Sequence, residues 1–211
     1  MRLQRKDLLL YAITDRSWLG EETLILQVEK ALKGGVTMIQ LREKDMDYEQ
    51  LKQEALEIQK LCRSYHVPFI INDYVELAKE IGADGVHVGQ SDCSVLEARR
   101  LLGPDAIIGA TAKTVEQALM AQEQGADYLG SGAVFGSSTK RDAKPMEHEL
   151  LQSICEAVDI PVVAIGGITG RNVEELKGRG MAGVAVISGI FGENNIEKAA
   201  ADLRRKMELM I

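Results

Sequence analysis

The chain has 211 residues and a formal net charge of −7, from 25 lysine and arginine residues against 32 aspartate and glutamate residues. That acidity argues against nucleic-acid binding as the main function, because phosphate backbones are held by clustered positive charge. Hydrophobic residues make up 45% of the chain and charged residues 27%, which is ordinary for one domain with a sizeable core. We therefore predict a single domain over residues 1–211.

The cysteines and the N-terminal residues indicate the cellular compartment in which the protein is expected. Cys62, Cys93 and Cys155 are an odd number without a CxxC pair, so neither a disulfide framework nor a thiolate zinc site is indicated. A reducing cytoplasm fits this usage best. The first apolar run stops at Asp15 after seven residues, far below the roughly 20 that a membrane span needs. We interpret it as a buried strand and expect no membrane association.

Eight apolar runs of strand length follow one another along the chain, with little alternation within each. They cover residues 8–14, 36–41, 68–71, 85–88, 106–110, 128–130, 161–165 and 183–187. Strands that are apolar on both faces are typical of a parallel sheet covered by helices. Helical periodicity lies between them, for example over residues 48–65 and 115–123. The sequence therefore predicts eight strands, each followed by a helix.

A glycine turn that leads straight into a strand recurs four times, in phrases that begin at residues 33, 81, 124 and 179. Two strand-helix units used four times are what a barrel built from quarter repeats would show. The alternative, an open doubly wound sheet, normally carries a GxGxxG turn after its first strand, and here that position reads Thr14-Asp15-Arg16-Ser17. We therefore predict an α/β fold, a single compact (β/α)8 TIM barrel.

In such barrels the reacting groups lie at the carboxyl ends of the strands and in the loops that follow. The seventh run ends in Ile165-Gly166-Gly167 and the eighth in Ile187-Ser188-Gly189. Glycine lets backbone N–H groups approach an anion, so this pair predicts a phosphate site. The alternative is that these glycines are turn residues only.

Basic residues concentrate at two other strand ends. Arg42 and Lys44 alternate after the second strand, and so share the direction of Gln40 if the extended conformation persists. Lys140 lies in the longest loop, residues 131–145, which we expect to act as a mobile lid. Because both groups follow strands, a second anion site is favoured over a solvated charge run.

Two aspartates, Asp73 and Asp92, follow neighbouring strands. Asp73 precedes an apolar helix and has Glu76 three residues on, so a helix cap also explains it. A cap explains Asp92 less well, because Ser94 and Glu97 form a capping box of their own. With no Cys or His ligand set nearby, the two carboxylates suit a hard cation such as Mg²⁺ that keeps waters and bridges to substrate phosphates.

The three histidines, His66, His87 and His148, carry less information. His87 lies within the fourth strand, where a satisfied core position is the more common outcome. The chain has no HExxH motif, no GxSxG elbow and no suggestive Cys/His spacing, which disfavours zinc hydrolysis and acyl transfer.

Together these residues resemble the thiamine-phosphate synthase family, over nearly the whole chain. QxREK, ND, GQxD and TK in this order are quite specific, whereas the glycine motifs are common in phosphate-binding barrels. The stretches that carry the resemblance are residues 11–15, 40–44, 72–73, 87–92, 138–140, 165–168 and 187–188.

The resemblance implies a transferase that joins 4-amino-2-methyl-5-hydroxymethylpyrimidine diphosphate to 4-methyl-5-(2-phosphoethyl)thiazole, or its carboxylated form, and releases diphosphate. It implies Mg²⁺ on Asp73 and Asp92, and Arg42, Lys44 and Lys140 as catalytic residues at the diphosphate. The implied partners are these small molecules, and a homo-oligomer is compatible with the sequence. The implied substrate-binding residues are Gln40, Arg42, Lys44, Asn72, Thr111, Ser137, Thr139, Lys140, Gly167, Ile187 and Ser188.

Two departures from the family pattern keep alternatives open. Thr111 stands where serine is expected, and residues 132–137 lack the prolines and first threonine common in the family. A related thiazole tautomerase, an isomerase, places a histidine at the position of Ala133 and does not keep the metal-binding acids. Asp73 and Asp92 therefore favour the synthase. A non-catalytic phosphate-binding barrel is the third interpretation.

Overall fold

The computed structural model describes residues 3–136 and 145–211. Its strands are β1 Leu10–Ile13, β2 Met38–Leu41, β3 Phe69–Asn72, β4 Gly85–Val88, β5 Ile107–Thr111, β6 Tyr128–Gly132, β7 Val162–Ile165 and β8 Gly183–Val186. All are parallel; each pairs with the next in the chain, and β8 pairs with β1 to close a barrel. The prediction of a TIM barrel is confirmed, and each strand boundary lies within two residues of its predicted place.

Helices cover the outside of the barrel. The α-helices of the described residues are α1 Leu24–Lys33, α2 Tyr48–Ser64, α3 Val75–Ile81, α4 Val95–Leu102, α5 Val115–Glu123, α6 His148–Ala157, α7 Ser188–Phe191 and α8 Ile196–Met210. A helix follows every strand as predicted, but the one after β7 is only a single 3-10 turn, Val173–Leu176. Five glycines between residues 166 and 180 disfavour a longer helix there. Within the described part of the chain, no helix is long and apolar enough to cross a bilayer.

The recurring glycine turns have a backbone explanation. Gly35, Gly82, Gly125 and Gly180 have φ values of 89°, 60°, 92° and 83°, in the left-handed region that glycine enters without steric cost. They lie in the turns that precede β2, β4, β6 and β8. A left-handed glycine ends a helix or turn sharply, which explains why the same phrase recurs before alternate strands.

The strands bury apolar side chains on both faces. One cluster fills the inside of the barrel and includes Tyr11, Met38 and Tyr128. A larger cluster lies between the strands and the helices. Tyr128 fits inside because Gly109 faces it, where a Cβ would lie 2.1 Å from the Cζ of the tyrosine. The barrel interior is therefore packed, and open space remains at its mouth.

Candidate active site

A cavity opens at the carboxyl ends of the strands, where reacting groups lie in this fold. Every strand contributes a lining residue, from Ile13 of β1 to Ala185 of β8. The cavity holds about 930 Å³ of empty space, part of it open to solvent.

The barrel brings seven of the predicted site residues together at this cavity. Lys44, Asp73 and Asp92 are described but are not among the residues that line it. Ser137, Thr139 and Lys140, with most of the expected lid, lie outside the described residues. The seven residues are Gln40, Arg42, Asn72, Thr111, Gly167, Ile187 and Ser188.

Arg42 is held at the cavity by the loop that follows β1. Its backbone N–H donates to Oγ1 of Thr14 at 3.0 Å, and its Nη1 donates to Oδ2 of Asp15 at 3.3 Å. Thr14 and Asp15 are buried, which limits solvent screening of the ion pair. Beyond Arg42 the chain bends over residues 44–46, and Lys44 is exposed. The extended conformation on which the predicted shared direction depends therefore ends before Lys44, and Gln40 and Arg42 line the cavity whereas Lys44 does not.

A second arginine, Arg16, forms ion pairs with Glu43, which follows Arg42, and with Glu54 of α2. Nε of Arg16 lies 2.9 Å from Oε2 of Glu43, and its Nη2 lies 2.6 Å from Oε2 of Glu54. Glu43 is 7% exposed, and this burial raises its pKa above the ordinary value. Its Oε1 has no hydrogen-bond partner among the described residues. These contacts tie the segment that carries Arg42 to α2.

A chain of hydrogen bonds crosses the inside of the barrel below the cavity. Nε2 of Gln40 donates to the Tyr11 hydroxyl at 2.6 Å, and the Tyr11 and Tyr128 hydroxyls are 2.8 Å apart. The Tyr128 hydroxyl lies 3.1 Å from Nδ1 of His87, whose Nε2 lies 3.1 Å from Oγ1 of Thr111. Burial raises the pKa of both tyrosines well above the ordinary value, so both phenols stay neutral.

His87 is a hydrogen-bonded interior residue, as expected for a strand histidine, and it also lines the cavity, which the sequence analysis missed. The signal that could have found it is register, since His87 is the β4 partner of Asn72, a predicted site residue. The other histidines lie elsewhere: His148 packs edge-on against Phe135, and His66 lies in an exposed turn.

The loops after β7 and β8 are pressed together. Gly167 has a φ of 65°, and its carbonyl accepts from Nδ2 of Asn172 at 2.9 Å. A Cβ on Gly189 would lie 2.2 Å from the carbonyl oxygen of Ile168. Ser188 begins the short α7 directly beside this contact. Close packing therefore requires glycine at position 189. In the same pair of loops, Gly167 has no side chain to cover its backbone at the cavity.

Asp73 has an unusual backbone. Its φ of 63° lies in the left-handed region, which is sparsely populated by residues other than glycine and is common at functional sites. Its Oδ2 accepts a hydrogen bond from Nδ2 of Asn72. The residue at the N-cap of α3 is Tyr74 rather than Asp73.

Asp92 is exposed and turned back towards its own strand. Its Oδ2 accepts from the N–H of Gly89 at 2.9 Å. Ser94 caps α4 by accepting from the N–H of Glu97, as predicted, so Asp92 is not needed as a cap. In residues 3–136 and 145–211 no group of three or more His, Cys, Asp or Glu side chains could hold a metal ion. Two hard carboxylates fit Mg²⁺ only if water and phosphate supply its other ligands.

The chain is similar in sequence and in structure to known proteins. A family model described as thiamine monophosphate synthase matches residues 10–190. The chain belongs to this family. It is 46% identical to a thiamine-phosphate synthase of Clostridium acetobutylicum over 94% of each chain. It is 45% identical to one of Ruminiclostridium cellulolyticum, over 93% of this chain and 94% of the relative.

A solved structure supports the same conclusion. The thiamine phosphate pyrophosphorylase of Pyrococcus furiosus is 39% identical and superposes with a TM-score of 0.91 over 98% of both chains. A protein from Bacteroides thetaiotaomicron is 16% identical with a TM-score of 0.72, and this likeness shows the fold alone. The resemblance read from the sequence is confirmed, and the chain is a transferase of the thiamine monophosphate synthase family.

Proposed function

We propose that the protein makes thiamine phosphate. It would join 4-amino-2-methyl-5-hydroxymethylpyrimidine diphosphate to 4-methyl-5-(2-phosphoethyl)thiazole, or its carboxylated form, and release diphosphate. The observation that carries the proposal is one cavity, in a member of this family, that joins the arginine-bearing end of β2 to the glycine-bearing ends of β7 and β8. Two anionic substrates can be aligned in such a site.

The diphosphate would bind beside Arg42. A guanidinium pairs strongly with phosphate oxygens, and Asp15 and Thr14 hold this one in place before the substrate arrives. In the proposed dissociative substitution, the bond between the pyrimidinylmethyl carbon and the diphosphate oxygen breaks first. The leaving group takes the electron pair, and the thiazole nitrogen then captures the carbon cation. Arg42, with Lys44 and Lys140 as further predicted cations, would stabilise the charge on the leaving group.

Mg²⁺ is the proposed cofactor, and Asp73 and Asp92 would hold it. Bound there, the ion would neutralise charge on the diphosphate. The chain itself prepares the two carboxylates: Asn72 donates to Asp73, and the N–H of Gly89 donates to Asp92. Each of these two hydrogen bonds orients one carboxylate oxygen.

The thiazole phosphate would bind at the opposite wall. Gly167 and Ser188 lie there, where backbone N–H groups and a hydroxyl can donate to phosphate oxygens. Gln40 and Thr111 would contact the pyrimidine ring between the two anion sites. This division leaves the ring atoms that react near the middle of the barrel mouth.

A thiazole tautomerase is the second candidate, and the presence of His87 in the cavity favours it. Imidazole can move a proton at neutral pH, as an isomerase needs. In this chain, however, both ring nitrogens lie within hydrogen-bond distance of Tyr128 and Thr111. The synthase therefore ranks first, since its chemistry requires no strong base.

We also propose a cytoplasmic location. All three cysteines are free. Burial raises the pKa of Cys62 to about 12 and that of Cys155 to about 11, which suppresses their reactive thiolate forms. Such thiols are compatible with a reducing compartment.

The test is to mix both substrates with Mg²⁺ and to measure thiamine phosphate and diphosphate. We expect the two products in equal amounts, none without the thiazole, and a large loss with a chelator. Absence of thiamine phosphate would refute the synthase. If the thiazole substrate alone changed into an isomer of the same mass, the tautomerase would replace it.

A further inference from the structure

The buried hydrogen-bond chain below the cavity joins two residues that line it. It runs from Gln40 through Tyr11, Tyr128 and His87 to Thr111. Tyr11 and Tyr128 are 1% and 0% exposed, so water cannot replace a broken link. Both ends, Gln40 and Thr111, line the cavity.

The number of protons restricts this chain to two arrangements. A neutral tyrosine hydroxyl has one proton, and a neutral imidazole carries a proton on one nitrogen only. If Gln40 donates to Tyr11, then Tyr11 must donate to Tyr128 and Tyr128 to Nδ1 of His87. His87 is then protonated at Nε2 and donates to Thr111. Turning the Gln40 amide over reverses every bond in the chain.

The two arrangements offer different groups to a ligand. In the first, the Gln40 amide can turn its oxygen to the cavity as an acceptor, and Thr111 keeps its proton to donate. In the second, Gln40 presents N–H donors to the cavity. The Thr111 hydroxyl then donates its proton to Nε2 of His87, so only its oxygen lone pairs can accept from a ligand. The directions at the two ends are therefore linked, although the residues lie on different strands.

We propose that Tyr11 and Tyr128 are positioning residues that couple the amide orientation of Gln40 to the tautomer of His87 and the hydroxyl direction of Thr111. The cavity thereby presents a matched acceptor and donor rather than two independent groups. The ligand chemistry that fits the first arrangement is a ring with an amino group and an unprotonated ring nitrogen, as in an aminopyrimidine. This last step rests on the proposed function, whereas the coupling itself does not.

The coupling is tested on the ligand-free full chain by nitrogen-15 NMR of the histidine rings at pH 8. With three histidines in the chain, the His87→Gln variant identifies the signals of His87. We expect wild-type His87 to be neutral and protonated at Nε2. Gln40→Glu leaves only acceptors at that end, so it should reverse the chain and move the proton to Nδ1.

The decisive comparison is the double variant. If Tyr11 transmits the change, Gln40→Glu combined with Tyr11→Phe no longer moves the proton of His87. Tyr48→Phe is the matched control, because the Tyr48 hydroxyl donates to Glu80 away from the cavity and the reversal should survive its loss. No reversal in the single variant, a reversal that persists without the Tyr11 hydroxyl, or a doubly protonated His87 would overturn the proposal.

A second variant covers the case in which Gln40→Glu does not fold. Gln40→Met removes the donor without adding a charge, so neither direction is imposed on the chain. The ratio of the two His87 tautomers should then shift by about fivefold or more, and the Tyr11 hydroxyl should again be required. An unchanged ratio contradicts the coupling.

Steady-state kinetics provide a readout that a purely structural role would not give. In Tyr11→Phe we expect KM for the pyrimidine diphosphate to rise about tenfold, with KM for the thiazole phosphate unchanged. Equal effects on both substrates would contradict a positioning role. If the enzyme makes no thiamine phosphate at all, the proposed function fails, and the NMR comparison still decides the coupling.

Discussion

The cavity wall differs between the half formed by β1 to β5 and the half formed by β6 to β8. The first half presents functional side chains, Gln40, Arg42 and Thr111 among them, and buried networks hold each of these. The second half presents backbone at positions such as Gly132 and Gly167. Hydrogen bonds therefore hold the cavity residues in place on the first side, and close packing holds them on the second. We expect mutations in the two halves to have different effects on activity and stability.

Removing the positive charge of Arg42 should have the largest effect on activity. Arg42→Met is expected to lower kcat/KM by about 10²- to 10³-fold, because charge on the leaving diphosphate loses its donor. The matched control is Arg100→Met, on the exposed surface of α4. Steady-state rates with saturating thiazole phosphate measure the effect. Loss of activity in the control, or a wild-type rate in Arg42→Met, would contradict the role of Arg42.

Changing a proposed metal ligand should act through Mg²⁺. Asp92→Ala, and Asp92→Asn, which keeps an acceptor for the N–H of Gly89, are expected to raise the half-saturating Mg²⁺ concentration by about 10- to 100-fold. Titration of activity with Mg²⁺ measures this, with the exposed Asp105→Asn as control. The assignment of Asp92 is wrong if both variants keep the wild-type metal affinity and rate.

Adding one methyl group should damage the backbone half. In Gly189→Ala the new Cβ meets the carbonyl oxygen of Ile168, so the two loops must separate. We expect the free energy of unfolding to fall by about 1–3 kcal/mol and KM for the thiazole phosphate to rise about tenfold. Gly170→Ala is the control, because Gly170 lies in the loop after β7 that also carries Ile168 and nothing lies within 4 Å of its Cβ. Equal behaviour of the two variants would show that packing does not shape this wall.

The smallest effect concerns the buried carboxyl that supports the side-chain half. Burial raises the pKa of Glu43 above 4.5, so the folded state favours its neutral form. The stability that wild type has over Glu43→Gln should be greatest below pH 4.5 and should fall as the pH rises through the folded pKa. Urea unfolding from pH 4.5 to 8 measures it, with exposed Glu57→Gln as control; a constant difference would contradict the raised pKa.

Most of the fold could be predicted because its signals are local. Apolar runs predicted every strand of the barrel, and left-handed glycines such as Gly82 explain the repeat that predicted its topology. The short 3-10 turn after β7 is the exception, because the five glycines between residues 166 and 180 disfavour the α-helix that the regular repeat predicts. Strand ends also predicted seven residues of the cavity, because parallel strands of a barrel end at one mouth.

The hydrogen bonds and ion pairs that hold the site residues in place could not be predicted from local sequence patterns. Asp15 and Arg42 are 27 positions apart, and Tyr11 and Tyr128 are 117 apart. No local pattern links such pairs, because the pairing depends on barrel closure and on which face each side chain takes. Lys44 shows the same limit, since its predicted direction assumed an extended chain and residues 44–46 form a bend.

The sequence by itself determined the barrel, the end of the barrel that carries the site and the family to which the chain belongs, because spacing, turn glycines and strand-end motifs are written along the chain. Only the tertiary structure decided how those residues are held. It placed His87 in the cavity, turned the two tyrosine hydroxyls towards each other and pressed Gly189 against Ile168. These contacts arise when distant strands close into one barrel, and closure is a property of the whole chain.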